Sequence, residues 1–250
     1  MKIIKDPLVL QKELNGKKSI GFIPTMGALH NGHLSLIKMS QKENKYTVVS
    51  LFLNPTQFNN SNDLKTYPSS LEEDIQILKS FSVDYVFMPE ASSIYFDNYR
   101  FQVEEKEFSN ELCGKDRPGH FTGVLTVVMK LLNIVNPDKA YFGEKDYQQL
   151  NLIKDMVSAF FMKVEIISGP TVRDDNGLAL SSRNRRLNTE ALKKAHIFAK
   201  KLKQKEIKIN DLQQELEQNG IEVDYLEEKF NRRFAAVKIN DVRLIDNVPL

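Results

Sequence analysis

Apolar residues along the chain form short runs, separated by segments in which they recur every three or four positions. SIGFIP (19–24) is a continuous run of strand length, the pattern of a strand covered on both faces. HLSLIKMSQKE (33–43) changes to helical spacing. YTVVSLFLNP (46–55) is a second strand, rich in β-branched residues and stopped by a proline. LEEDIQILKSF (71–81) puts Leu71, Ile75 and Leu78 on one helical face, and VDYVFMP (83–89) is a third strand. FTGVLTVVMKLLNIV (121–135) is apolar almost all round, so a buried helix is expected. KAYFG (139–143) reads as a strand, KDYQQLNLIKDMVSAF (145–160) as a helix and VEIISGP (164–170) as a strand. The alternation predicts an α/β domain, a Rossmann-like parallel sheet with helices on both faces. Such sheets bind ligands at the carboxyl ends of their strands.

The pattern changes after about residue 170. RDDNGLALSSRNRRL is polar and reads as a loop, and a basic helix follows near 189–204. FAAVKI and VRLIDN are alternating runs joined by Asn240-Asp241, the composition of a hairpin with a two-residue turn. A domain over 1–172 and a smaller C-terminal α+β lobe over 173–250 are therefore expected.

Composition narrows the function classes without choosing one. The 250 residues are 41% hydrophobic and 27% charged, an ordinary globular balance. A net charge of +2 gives no reason to expect a nucleic acid or a membrane as partner. The single Cys113 cannot form an internal disulfide, MKIIKDPLVLQKEL lacks the apolar core of a signal peptide, and no stretch approaches the ~18 apolar residues of a membrane span. A cytoplasmic location is expected.

Chemistry concentrates in PTMGALHNGH (24–33), at the passage from the first strand to the first long helix. The chain has four histidines, and His30 and His33 lie three apart here. Gly27 permits a tight turn, Asn31 can cap the helix, and free N–H groups would face a ligand above it. A helix N-terminus disfavours an imidazolium, so both rings should stay neutral and donate hydrogen bonds to a phosphate. The alternatives are a turn merely filled by histidine, or a metal pair, although no cysteine or third histidine lies nearby.

Other strings carry further candidates. Gln57 in LFLNPTQF (51–58) is an amide near a strand's carboxyl end. Arg117 and His120 precede the apolar helix. In FGEKDYQQL (142–150), Glu144 and Asp146 suit a helix N-terminus, whereas Lys145 does not unless an anion is bound there. LALSSRN (178–184) offers two hydroxyls and Arg183 in a loop able to close over phosphates. Glu72, Glu73 and Asp74 form an acidic first helical turn.

These strings together resemble one family. HNGH resembles the HxGH signature of the nucleotidyltransferase superfamily, and PTMGALHNGH, NPTQF, RPGHFTGVLTVV, FGEKDYQQL and LALSSRN, in that order, resemble the pantoate–β-alanine ligases. The resemblance is dense from about residue 20 to 187. It implies ATP-dependent condensation of pantoate with β-alanine through an acyl adenylate. ATP would lie against Met26, Gly27, Ala28, Leu29, His30, Asn31, Gly32 and His33. It would also touch Gly143, Glu144, Lys145 and Asp146, and Val172, Leu180, Ser181, Ser182 and Arg183. His30, His33, Lys145 and Arg183 would be catalytic. Gln57 and Gln149 would hold pantoate, with Arg117 and His120 on the substrate side, and Asp74 would hold Mg²⁺. A homodimer is implied. Arg186 departs from the aromatic residue expected at its position, and only RLIDN (243–247) stands out in the C-terminal lobe. Two other readings are a nucleotidyltransferase for another acceptor and a nucleotide-binding module without chemistry. The complete motifs around Gln57 and Gln149 argue against the first. The presence of both histidines, Lys145 and Arg183 argues against the second.

Overall fold

The computed structural model describes all residues from Met1 to Leu250. The chain opens with β1 (Lys2–Ile4), α1 (Pro7–Leu14), β2 (Ile20–Thr25), α2 (Asn31–Glu43) and β3 (Tyr46–Leu51). It continues through α3 (Ser61–Lys65), α4 (Leu71–Ser80), β4 (Tyr85–Phe87), α5 (Ala91–Ile94) and α6 (Cys113–Asp116). Then come α7 (His120–Val135), β5 (Lys139–Gly143), α8 (Tyr147–Ala159) and β6 (Glu165–Gly169). The first six strands form one sheet in the order β1-β4-β3-β2-β5-β6, all pairs parallel.

Side-chain alternation along each strand assigns the two faces. Phe22, Val48, Phe87, Ala140 and Phe142 join Leu10 and Leu14 of α1 and the apolar faces of α7 and α8 in one core. Their neighbours Ile23, Val49, Val86 and Tyr141 pack on the other face against Leu36 and Ile37 of α2 and Leu78 of α4. The continuous apolar runs in the sequence are thus a sheet covered twice. α7 is buried nearly all round, as its composition requires. It also presses on the segment after β3, where a Cβ on Gly123 would sit 2.5 Å from the Thr56 carbonyl oxygen. Only glycine allows that approach.

The second sheet is antiparallel, with β7 (Glu222–Lys229), β8 (Arg232–Ile239) and β9 (Val242–Pro249) in sequence order. α9 (Thr189–Leu202) and α10 (Ile209–Gln218) cover it through Phe198, Leu202, Leu212 and Leu216. The expected hairpin is present: Ile239 pairs with Val242, and Asn240 takes the left-handed conformation at φ 56°.

The expected strands and helices occur with boundaries shifted by a few residues. Seven elements show no clear period in the sequence: β1, α1, α3, α5, α6, α10 and β7; β1, α3, α5 and α6 are only three to five residues long. α1 is signalled by its cap, Asp6 accepting the Val9 N–H at 2.9 Å with Pro7 at the first helical position. β7, EVDYLEEK, is charged and only half-buried along most of its length. No helix is long and apolar enough to cross a membrane.

Candidate active site

The strand order reverses between β2 and β5, so the chain leaves these neighbours in opposite lateral directions above one carboxyl edge. The histidine turn follows β2, and a 3₁₀ turn, Glu144–Asp146, follows β5. Both reach a cavity of about 850 Å³. Its other walls include a 3₁₀ turn at Pro55–Gln57, the segment from there to Tyr67, the start of α7, the segment around a 3₁₀ turn at Ser182–Arg186, and the three strands of the second sheet.

His30, rather than Asn31, is the N-cap of α2. Its Nδ1 accepts the Gly32 N–H at 3.1 Å, while His33 Nδ1 accepts the His30 N–H at 3.3 Å. Asn31 is the first helical residue and is exposed. With both Nδ1 atoms accepting, each neutral ring carries its proton on Nε2. Protonating either Nδ1 would break a cap. Burial pushes His30 down to about 4, with Lys145 and Arg185 adding to the effect. Burial also holds His33 well below the ordinary imidazole range, followed by the influence of His30 and Lys145. The neutrality expected from the helix dipole is present, with burial as its larger cause.

The Ala28 and Leu29 peptide groups before the cap are engaged on both sides. Ala28 and Leu29 donate their N–H groups to Asp74 at 2.7 and 2.8 Å. Their carbonyls accept from Ser182 Oγ at 2.9 Å and from Arg185 at 3.1 Å. Contrary to expectation, the Ala28 and Leu29 N–H groups are therefore not free for a ligand. The imidazole N–H groups remain for the cavity.

Lys145 lies in the turn after β5, and its nearest carboxylate is Asp146 at 3.5 Å. Asn247 of β9 fixes that turn by donating to the carbonyls of Glu144 and Lys145 at 3.0 and 2.9 Å. Asp246 beside it is held by both terminal nitrogens of Arg173, at 2.6 and 2.9 Å. RLIDN therefore ties the second sheet to the Lys145 turn.

At the other side of the cavity, the Gln57 carboxamide oxygen accepts from Asn54 at 3.0 Å, which leaves its NH₂ for a ligand. His120 spends both ring nitrogens inside the protein, one on the Gln57 carbonyl at 2.8 Å and one on Arg117 at 3.2 Å. Its ring is pushed down to about 3, mainly by burial, then by Arg117. His120 thus braces Gln57, and Arg117 is the group of the two that can face a ligand. Gln148 and Gln149 both line the cavity, but the Gln148 amide is buried and committed to Cys113, Phe108 and Glu111, which leaves Gln149 as the one free for a ligand. Arg183 pairs with Asp63 at 2.9 Å and lies over the Tyr67 ring at 5.3 Å. Arg186 shares Asp63 at 3.4 Å and also pairs with Asp241.

A sequence model of the family described as pantoate-β-alanine ligase matches residues 2–249. The chain belongs to the pantoate-β-alanine ligase family. It is 54% identical over 237 residues to a pantothenate synthetase of Legionella pneumophila, covering 95% of this chain and 94% of that one. A Bdellovibrio bacteriovorus pantothenate synthetase is 50% identical, with 93% and 92% covered. Among solved structures, pantoate-β-alanine ligase from Francisella tularensis, complexed with β-γ ATP and β-alanine, is 46% identical. It superposes with a TM-score of 0.97 over 100% of this chain and 97% of that one. Pantothenate synthetase from Thermus thermophilus gives a TM-score of 0.91 at 35% identity, with 100% and 99% covered.

In this member of the ligase family, most expected site residues line the one cavity. Met26, His30, Gly32, His33, Gln57, Arg117, His120, Gly143, Lys145, Asp146, Gln149, Val172, Leu180, Ser181, Ser182 and Arg183 all do so. Gly27, Ala28, Leu29, Asn31 and Glu144 do not. The first three are buried behind the histidines. Asp74 does not fit its expected role as Mg²⁺ ligand. It is 1% exposed, lies off the cavity, and uses both oxygens on backbone N–H groups. No group of three or more His, Cys, Asp or Glu side chains converges as a metal site elsewhere in the ligase. Sequence reasoning missed Asp63, Tyr67 and Asn247 at the cavity. Asn247 lay within the one C-terminal string that stood out, but no local pattern indicates its partner 102 residues away. His196, the fourth histidine, pairs with Asp174 at 2.9 Å and does not line the cavity.

Proposed function

We propose that the chain catalyses the ATP-dependent condensation of (R)-pantoate with β-alanine, giving pantothenate, AMP and pyrophosphate through pantoyl adenylate. The observation that carries this reading is the pairing within one cavity of two neutral imidazole donors and Lys145 with the free amide groups of Gln57 and Gln149. Family membership supplies the substrates, entering as MgATP, pantoate and β-alanine.

A carboxylate must be activated before an amine displaces its oxygen. In the first step a pantoate carboxylate oxygen attacks the α-phosphorus of ATP, and the bond to the bridging oxygen breaks to release pyrophosphate. His30, His33, Lys145 and Arg183 offset the charge that develops on the phosphate oxygens. The two imidazoles are already oriented, so they do so without reorganisation. Gln57 and Gln149 orient pantoate for in-line attack. In the second step the β-alanine amine attacks the acyl carbon, AMP leaves, and the nitrogen loses a proton. Ser182 and Arg185 dock the 178–187 loop on the histidine turn, where it shields the adenylate from water. The same reading divides the chain near residue 172, with the second lobe as lid, and carries the homodimer and cytoplasmic location with it.

Product analysis tests the assignment. With all three substrates, AMP, pyrophosphate and pantothenate should form in equal amounts, and omission of pantoate should abolish all three. ADP and phosphate as products, or nucleotide turnover independent of pantoate, would overturn it.

A further inference from the structure

The carboxylate that resemblance places near Mg²⁺ is built into the protein for a different task. Asp74 stands in the first turn of α4, 1% exposed, with no face on the cavity. Its Oδ2 accepts from Ala28 at 2.7 Å and its Oδ1 from Leu29 at 2.8 Å, with Ser70 Oγ at 3.4 Å from Oδ1. A buried carboxylate is tolerable when such charge-assisted bonds replace its water. The peptide units it grips are unusual. Gly27 has φ 82°, and Ala28, which has a Cβ, is held in the left-handed region at φ 51°. A chain does not rest in that conformation unless its surroundings impose it.

The residue after Leu29 is His30, whose ring and backbone form the reciprocal cap with His33. The same helical turn reaches this segment a second time: Glu73 holds Arg185 at 2.8 Å, and Arg185 donates to the Leu29 carbonyl. We propose that Asp74 is a positioning residue for adenylation: it clamps the Gly27–Leu29 turn, sets the placement of the two histidines behind which it lies, and does not ligate metal. The adenylation part of this inference rests on the function proposed above. A single carboxylate suits the task because its two oxygens accept from two successive N–H groups. An asparagine offers one acceptor and sets an NH₂ against the other N–H.

The test is Asp74→Asn, with Glu72→Gln as control, since Glu72 is exposed on the same turn. At saturating MgATP and pantoate, Asp74→Asn should lower kcat by roughly 10- to 100-fold, the scale of a small displacement of catalytic groups. KM for ATP should stay within about threefold, the signature of a contribution made mainly in the transition state. The Mg²⁺ concentration for half-activation should not move, and the imidazole ¹⁵N signals of His30 and His33 should shift. Glu72→Gln should match the wild type. A raised Mg²⁺ requirement, with kcat restored by excess Mg²⁺, would make Asp74 a metal ligand. Unchanged kcat and histidine signals with a lower melting midpoint would make it a brace only. Either overturns the proposal. If Asp74→Asn does not fold, Mn²⁺ titration of the nucleotide-free wild type decides between ligand and clamp. The Ala28 and Leu29 amide signals should stay sharp and exchange-protected, and Mn²⁺-induced broadening there would overturn the inference. If the wild type makes no AMP, the adenylation reading fails, while the histidine spectra and the Mn²⁺ titration still decide what Asp74 does.

Discussion

The turn at 28–33 and the turn at 182–186 line one cavity and touch through Ser182, yet they hold their polar groups in opposite ways. In the first, both imidazole Nδ1 atoms accept backbone N–H groups, and the Ala28 and Leu29 peptide groups are all bonded. Nothing there must move for the Nε2–H groups to meet a phosphate. In the second, Arg183 and Arg186 share Asp63. An anionic ligand that takes those arginines competes with a carboxylate for their charge. One turn is a fixed neutral donor set, and the other is a charge held in exchange. Rate acceleration should depend most on the first, and nucleotide affinity should respond to the second.

Four perturbations probe this contrast. The largest effect is expected for His33→Ala. Loss of a preorganised donor should reduce adenylation by ~10²–10³ in kcat, against roughly 1 kcal/mol of stability from the lost cap contact. Single-turnover rates beside thermal unfolding separate the two, and near-normal turnover would remove His33 from the chemistry.

Lys145→Ala comes next. Loss of a charge-assisted contact to phosphate should cut kcat/KM for ATP by about 10- to 100-fold. The ligand-free unfolding midpoint should stay equal or rise slightly, because a cation near a helix N-terminus opposes the dipole by about 0.3–1 kcal/mol. A clear loss of stability would instead make Lys145 a structural ion-pair partner of Asp146.

Acid offers a third way in. His30, His33 and His120 are all held below the ordinary imidazole range. The unfolded chain therefore binds more protons than the folded one below pH ~6.5, and stability falls as pH falls through that window. The share from His30 levels off near pH 4, where that ring titrates in the folded state, while His120 continues to about pH 3. Carboxylates held low, such as Glu105 by the backbone N–H groups of 107 to 109 and Asp97 beside Lys130, add their losses from about pH 5 downward. Denaturant unfolding between pH 7 and about 5.5, above the carboxylate range, should show net proton uptake approaching three, and a flat profile would mean that the rings are not held neutral.

The smallest effect belongs to the exchangeable turn. Asp63→Asn frees Arg183 from its carboxylate, and KM for ATP should fall by about two- to fivefold, the scale of a partly exposed ion pair. A higher KM would show that Asp63 orients Arg183 rather than competing for it.

The same contrast marks what the sequence made legible. The doubly covered sheet was readable because both of its faces are apolar, so SIGFIP and KAYFG declare themselves as strands. β7 and α10 were not, since EVDYLEEK and INDLQQELEQ bury only a few positions each. The histidine turn was readable as a motif, but its wiring was not. That Asp74 holds residues 28 and 29, or that Asn247 holds the Lys145 turn, depends on contacts across 45 to 103 residues of chain. An acidic first turn of a helix looks alike whether it faces solvent, a metal or a buried backbone, and only packing distinguishes them. Arg186, a departure from the resembled pattern, proves to be the second arginine on Asp63 and the link to Asp241 on the β8–β9 turn.

The fixed donors of the histidine turn are assigned to attack at the α-phosphorus, a step that precedes any need for an amine. Isotope exchange between labelled pyrophosphate and ATP tests it most directly, using the wild-type protein with MgATP and pantoate but no β-alanine. Pantoate-dependent exchange is expected, with up to about one pyrophosphate released per site when no pyrophosphate is added. No exchange until β-alanine is supplied, in a preparation that makes pantothenate when all substrates are present, would contradict the stepwise mechanism and the role given to the histidine turn.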